Sequence, residues 1–205
     1  MIKAKINGRK VEIETSWEEM NWGKFLELVE VKDDYQSVLS ILLQEPIKNI
    51  RKAKFEGLDK VISSLKYLQE PAKISEQPIK LGDFVFPQDI SLETVEQFEC
   101  LRKHIKDTQG KTVREQTEKL AVYAAIYCQG VKEEFDEEKA IYLAEQFKTY
   151  PCLEVMSAGS FFMAKALSMQ SGYTMNYLRQ NILMKKSKRG FVTLMKRLAS
   201  MLHLT

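Results

Sequence analysis

The densest group of side chains with acid–base or metal-binding chemistry is an acidic cluster, which comprises Glu133, Glu134, Asp136, Glu137 and Glu138. Neighbouring carboxylates can hold a cation or move protons. Acidic residues at the start of a helix also complement the helix dipole, and we expect that structural role here. The sequence contains no Walker A, G-x-G-x-x-G, H-E-x-x-H or G-x-S-x-G pattern. We therefore predict no catalytic, cofactor-binding or metal-binding residues, and a protein that is not an enzyme.

Thiol and imidazole side chains are sparse. The cysteines are Cys100, Cys128 and Cys152, which lie far apart, and the two histidines are His104 and His203. This spacing suggests no zinc site, because no C-x-x-C or similar ligand pair occurs. We expect all three cysteines to be small core residues with reduced thiols, as is usual in a cytoplasm.

Charge is distributed unevenly along the chain. The net charge is +3, yet residues 155–205 contain eight basic residues and no acidic one, while residues 1–154 carry −5. Residues 155–205 also contain seven of the nine methionines. A basic and apolar segment of this kind suits an acidic surface, which could be nucleic acid, a membrane, another protein or the acidic body of this chain.

Three features supply candidate contact residues. A run of four cations could bind the phosphate backbone of a nucleic acid or contact a protein. An apolar stripe on the predicted final helix is typical of an adaptable protein interface. Two adjacent phenylalanines cannot face the same direction on a helix, so we expect one in the core and one as an anchor in a helix–helix or subunit contact. The alternative for the cations is a solvated loop. The alternatives for the stripe are a membrane surface and docking onto the chain's own core. The candidate partner-binding residues are Lys185, Lys186, Lys188, Arg189, Phe191, Leu194, Met195, Leu198, Phe161 and Phe162.

The elements that would position these residues are mostly helices. Alternating apolar residues on both sides of Asn7-Gly8 predict a type I′ hairpin, and residues 79–87 predict a second small hairpin. Ser16 with Glu19 and Thr112 with Glu115 match capping boxes, and Asn21 and Asp136 are predicted N-caps of the helices that follow them. Periodicity and caps predict helices over residues 22–28, 35–43, 47–69, 92–108, 113–129, 137–150, 154–170, 174–184 and 191–203.

The predicted fold class is α+β and predominantly helical, with a small N-terminal β-hairpin sheet packed on a helical body and a basic C-terminal helical segment. Residues 1–90 would hold the N-terminal hairpin, helices and the second small hairpin, residues 91–172 a helical domain, and residues 173–205 a basic, Met-rich helical extension. No apolar run predicts a membrane span, and the start of the chain has no signal-peptide pattern, so we expect the protein in a cytoplasm or packaged from one.

Two stretches resemble small structural or assembly proteins of tailed bacteriophages, including the crAss-like and related phages of Bacteroidetes hosts. The first, Ile13 to Leu28, resembles their "swxE(h)Txxqf(x)eL" opening, with Asn21 in place of the usual Thr. The second, Leu120 to Leu167, resembles their "yA.iaiY…p..ev…g.FF" pattern. Together the two stretches cover about a third of the chain.

The resemblance implies a non-enzymatic virion protein without a cofactor, either a head–tail connector or neck ring subunit or a tail-assembly chaperone. A ring subunit would form a homo-oligomeric ring and pack against the portal and neighbouring ring or tail proteins. It would lie in the neck or tail region of the virion, and in the host cytoplasm during assembly. The basic segment leaves open non-specific contact with DNA, and a small nucleic-acid-binding protein is the alternative from a different class.

Overall fold

A computed structural model describes residues 1–6, 8–31, 34–52, 61–76, 80–86, 94–108, 110–129 and 134–171. Short strands come early and helices dominate the rest, which confirms the predicted, mostly helical fold with a small antiparallel sheet. The elements are β1 (Ile2–Ile6), β2 (Arg9–Ile13), α1 (Trp22–Glu30), α2 (Tyr35–Leu43), α3 (Ile47–Arg51), a 3₁₀ helix (Leu65–Gln69), β3 (Lys80–Leu81), β4 (Phe84–Val85), α4 (Val95–Lys106), α5 (Val113–Cys128), α6 (Glu137–Gln146), a second 3₁₀ helix (Phe147–Thr149) and α7 (Cys152–Ser171).

Both predicted hairpins are present, and they form two separate two-stranded antiparallel sheets. In the first, Ile6 lies opposite Arg9, which leaves a two-residue loop as predicted. Gly8 in that loop has a φ of 84°, a conformation that glycine adopts without strain, while Asn7 lies outside the described residues. Val11 and Ile13 of β2 are buried, so this hairpin contributes one face to the core.

Local capping signals position several helices as predicted. The Asn21 side chain accepts a hydrogen bond from the Lys24 amide at 2.8 Å, which begins α1. Thr112 and Glu115 form the capping box of α5. The Asp136 side chain accepts from the amides of residues 138 and 139, and it thereby caps α6.

Some predicted boundaries are wrong. The Ser16–Glu19 capping box does not form, because the Glu19 carboxylate accepts instead from the amide of Thr15, at 2.7 Å, and from its hydroxyl, at 2.9 Å. Residues 17–19 form a turn. The helix predicted over residues 92–108 begins at Val95 as α4, since extended Thr94 is its N-cap, and residues 91–93 lie outside the described part of the chain.

Other predicted helices are confirmed only in part. The helix predicted over residues 47–69 contains α3, a helical turn at residues 61–64 and a 3₁₀ helix, while residues 53–60 lie outside the described part of the chain. The one predicted over residues 137–150 changes to 3₁₀ geometry after Gln146. The helices predicted over residues 174–184 and 191–203 lie outside the described residues, and the division into three domains stays a prediction.

The core is centred on α5 and α7. Every residue from Leu120 to Tyr127 is at most 9% exposed, so this part of α5 is covered on all sides. α7 packs along it with Gly159 against the backbone of Leu120. The chain before α1 is tied to the start of α7, because the Trp22 amide donates to the Tyr150 carbonyl and the Cys152 amide donates to the Met20 carbonyl, each at 2.8 Å.

An ion pair connects β2 to the loop before α3 and makes stability depend on pH. Glu45 is 6% exposed and accepts from Asn49 at 2.8 Å and from Arg9 at 3.0 Å. These hydrogen bonds, that of Asn49 first, hold the pKa of Glu45 below its ordinary value of 4.5. Because the pKa is lowered on folding, the carboxylate stabilises the fold above the ordinary value, and this stabilisation is lost as pH falls through the lowered pKa.

We therefore expect Glu45→Gln to lower the thermal midpoint near about pH 7, with the difference from wild type shrinking below about pH 4. Thermal unfolding followed by circular dichroism across this pH range measures the effect. Glu27→Gln, at an exposed position of α1, is the matched control and should show neither the loss nor its pH dependence. A difference between Glu45→Gln and wild type that is constant with pH would contradict the assignment.

Candidate metal centre

α4 carries two potential metal ligands on one face. Cys100 and His104 are four residues apart, so one helical turn brings both side chains to the same side. They are 7% and 5% exposed. Gln97, one turn earlier, fixes this face against α5 by donating to the Ile126 carbonyl at 3.1 Å.

The third potential ligand, Glu137, comes from the first turn of α6. Gln129 holds the start of that helix at the end of α5, because its side chain accepts from the Asp136 amide at 2.9 Å and donates to the Asp136 carbonyl at 2.5 Å. These two bonds fix the first turn of α6, from which Glu137 reaches His104 on α4. The carboxylate of Glu137 therefore lies beside the imidazole, although the two residues are distant in sequence.

The ligand atoms of Cys100, His104 and Glu137 all lie within 4.8 Å of one another. The Nε2 atom of His104 is 3.1 Å from a carboxylate oxygen of Glu137, but the contact is not aligned as a hydrogen bond, so Nε2 is a buried atom without a hydrogen-bond partner. On the other side of the ring, Lys119 Nζ lies 3.1 Å from Nδ1. An ammonium only donates, so Nδ1 accepts and the proton of the neutral ring lies on Nε2.

The protonation of each group follows from its surroundings. Lys103 donates to both oxygens of Glu137, at 2.9 and 3.2 Å, which lowers the pKa of that carboxyl. Burial, and then the nearby Lys119 ammonium, lower the pKa of His104. Burial raises the pKa of the Cys100 thiol to about 11. Near neutral pH the cluster therefore contains a carboxylate, a neutral imidazole and a protonated thiol.

An open cleft of about 740 Å³ adjoins the cluster. Cys100 and Glu137 form part of its wall, together with Glu96, Phe135 and several exposed charged residues. Solvent can therefore reach two of the three ligand residues. Among the residues that the structure describes, this is the one group of three in which thiol, imidazole and carboxylate donors converge, and that donor set is one zinc accepts.

The acidic cluster thus divides between two roles. Asp136 caps α6 and supports the expected helix-dipole interpretation, while Glu134 and Glu138 are exposed and Glu133 lies outside the described residues. Glu137 has the additional contact with the histidine. The four-residue spacing of Cys100 and His104 in a predicted helix was the available sequence signal, but nothing in the sequence pairs them with Glu137.

Of the ten candidate partner-binding residues, two lie within the described part of the chain. Phe162 is 1% exposed and stacks on Tyr127 with ring centroids 3.9 Å apart. Phe161 is half-buried, and Lys165 Nζ lies 5.1 Å from its ring centroid. One of the pair is therefore interior, and the contact role of Phe161 stays a prediction. The eight candidates from Lys185 to Leu198 lie outside the described residues.

All three cysteines have free thiols. Cys100 and Cys152 are buried and Cys128 is half-buried, so they contribute to the interior as predicted. Burial raises the pKa of the Cys152 thiol to about 12 and also raises the pKa of the Cys128 thiol. A high thiol pKa leaves little thiolate near neutral pH, which makes a nucleophilic role unfavourable for these side chains without a metal ion.

Within the described ranges, no helix has the length and apolar character needed to cross a membrane.

Comparison of the chain with protein-family models, curated proteins and solved structures found no significant match.

Proposed function

We propose that the chain is a non-enzymatic structural protein of a bacteriophage virion, a subunit of a connector or neck ring that packs between the portal and the tail. The resemblance of residues 13–28 and 120–167 to small phage structural proteins supports this class. Many of the residues that carry the resemblance are buried, among them Trp22, Tyr123 and Phe162. They maintain a helical body, and this is consistent with a protein that acts by packing.

The observation that carries the proposal is how the basic segment joins the body. α7 lies in the core, with Ala158 and Phe162 at most 1% exposed, and it leads directly into residues 172–205. Those residues contain seven cations, whereas residues 1–154 carry −5. A basic segment anchored to an acidic body is complementary to the body of a second copy, and head-to-tail contacts of this kind close into rings when the rotation permits.

We expect the chain truncated after Met184 to remain folded and to lose assembly. Light scattering of the purified chain measures the oligomer, and peptide mass spectrometry of purified phage particles gives its copy number against the portal. Replacing Lys185, Lys186, Lys188 and Arg189 by glutamine should have the same effect. A matched control replaces four exposed lysines of the body, Lys48, Lys66, Lys73 and Lys111, and should assemble as wild type does.

Two results would overturn the proposal. Absence of the chain from particles, with abundance in infected cells, would identify a tail-assembly chaperone. A purified chain that stays monomeric and binds duplex DNA with a steep salt dependence would identify a nucleic-acid-binding protein, because each neutralised phosphate releases counterions. A separate result, normal assembly of the chain truncated after Met184, would show that the assignment of the contacts to residues 185–205 is wrong.

A further inference from the structure

We propose that Cys100, His104 and Glu137 bind a zinc ion, which joins α4 to the first turn of α6. This inference goes beyond the proposed structural role and does not depend on it. Zinc takes sulfur, nitrogen and oxygen donors at about 2.0–2.3 Å, which places the donors of a tetrahedral site about 3.5 Å apart. The three donor atoms here lie within 4.8 Å of one another, so closing the site needs shifts of about 1 Å.

A second observation points to a ligand at this place. His104 is only 5% exposed, and its Nε2 atom has no hydrogen-bond partner although it lies 3.1 Å from a carboxylate oxygen of Glu137. Buried polar atoms without partners are rare in folded proteins, because losing the contact with water is costly. A zinc ion between Nε2, the Glu137 oxygen and Cys100 Sγ would satisfy this atom.

Of the two neighbouring lysines, Lys103 permits zinc binding, whereas Lys119 competes with the ion for the imidazole ring. Lys103 is 60% exposed, so it can turn into solvent or keep one oxygen of Glu137 while the ion takes the other. When zinc binds Nε2, the ring proton moves to Nδ1, and Nδ1 then no longer accepts from Lys119. The Cys100 thiol gives its proton to solvent and binds as thiolate. The thiolate and the carboxylate then balance the two positive charges of the ion, and the imidazole binds as a neutral ligand.

The coordination leaves one position for an exogenous ligand. Cys100 and Glu137 both line the open cleft, so a water molecule can reach the ion and complete four-coordinate geometry. Because the protein ligands come from two helices, the ion would resist separation of α4 from α6. Zinc should therefore raise the thermal midpoint of the folded chain.

Cobalt(II) is the spectroscopic probe, since it takes zinc sites and reports a bound thiolate by a charge-transfer band. We expect the full chain, stripped of metal with a chelator, to bind one cobalt ion with this band and to release it to zinc. Cys100→Ala should remove the band, and Cys152→Ala, at a buried cysteine outside the cluster, should retain it. Circular dichroism checks that each variant is folded.

A second pair of variants tests the carboxylate. Glu137→Gln should weaken zinc binding by at least about tenfold, whereas Glu138→Gln, at the exposed neighbouring position, should leave it unchanged. Lys119→Met should strengthen binding, because it removes the cation that competes for the ring. The proposal is wrong if the wild-type chain gives no thiolate band, if Cys100→Ala retains it, or if Glu137→Gln and Glu138→Gln bind zinc equally.

Discussion

The Gly159→Ala variant is expected to lose about 3 kcal/mol or more of its free energy of unfolding. A Cβ atom at this position would lie 2.2 Å from the carbonyl oxygen of Leu120 and 2.7 Å from its Cα. The obstructing atoms are backbone atoms of α5, so no side-chain rotation can relieve the overlap. The two central helices must separate, and their facing core residues lose contact. Helix propensity alone would favour alanine by about 1 kcal/mol, so the expected sign is opposite to that of a free helix.

Urea denaturation of the full chain measures this loss. Ser160→Ala is the matched control, one residue further along α7, where the hydroxyl is buried without a hydrogen-bond partner. Removing that hydroxyl should be neutral or slightly stabilising, since an unsatisfied polar atom is removed. If Gly159→Ala proves as stable as Ser160→Ala, the close approach of α5 and α7 is not present in solution.

The elements that could be predicted from the sequence are those set by neighbouring residues. The caps at Asn21, Thr112 and Asp136 act within a few residues of themselves, and each starts its helix as expected. Gly159 shows the opposite case. No sequence pattern around this residue shows that it touches another helix, because the reason for the glycine lies at the backbone of Leu120.

The candidate metal centre also depends partly on neighbouring residues and partly on a contact between elements that are distant in sequence. The spacing of Cys100 and His104 can be read from the sequence, and a helix places them on one face. The approach of Glu137 depends on how Gln129 docks the start of α6. Similarly, adjacency predicts that Phe161 and Phe162 face different directions, but the stacking on Tyr127 decides which one is interior.

A buried ion pair that no sequence pattern indicated produces the second large effect. The ammonium of Lys24 on α1 donates to the carboxylate of Glu14, which follows β2, and the two side chains are only 7% and 9% exposed. The other oxygen of Glu14 has no hydrogen-bond partner. Lys24→Met should therefore cost about 3–5 kcal/mol in urea denaturation, because it leaves an uncompensated charge away from water.

Two further variants decide whether that loss of stability comes from the uncompensated charge of Glu14. The double variant Glu14→Leu with Lys24→Met removes both charges and keeps apolar bulk, so it should regain most of the stability and can exceed wild type. Lys3→Met is the exposed counterpart, since Lys3 and Glu12 pair at 3.5 Å with side chains 79% and 56% exposed. It should cost at most about 1 kcal/mol. If Lys24→Met lowers the free energy of unfolding no more than Lys3→Met does, water reaches Glu14, and the hairpin does not exclude solvent from this edge of the core.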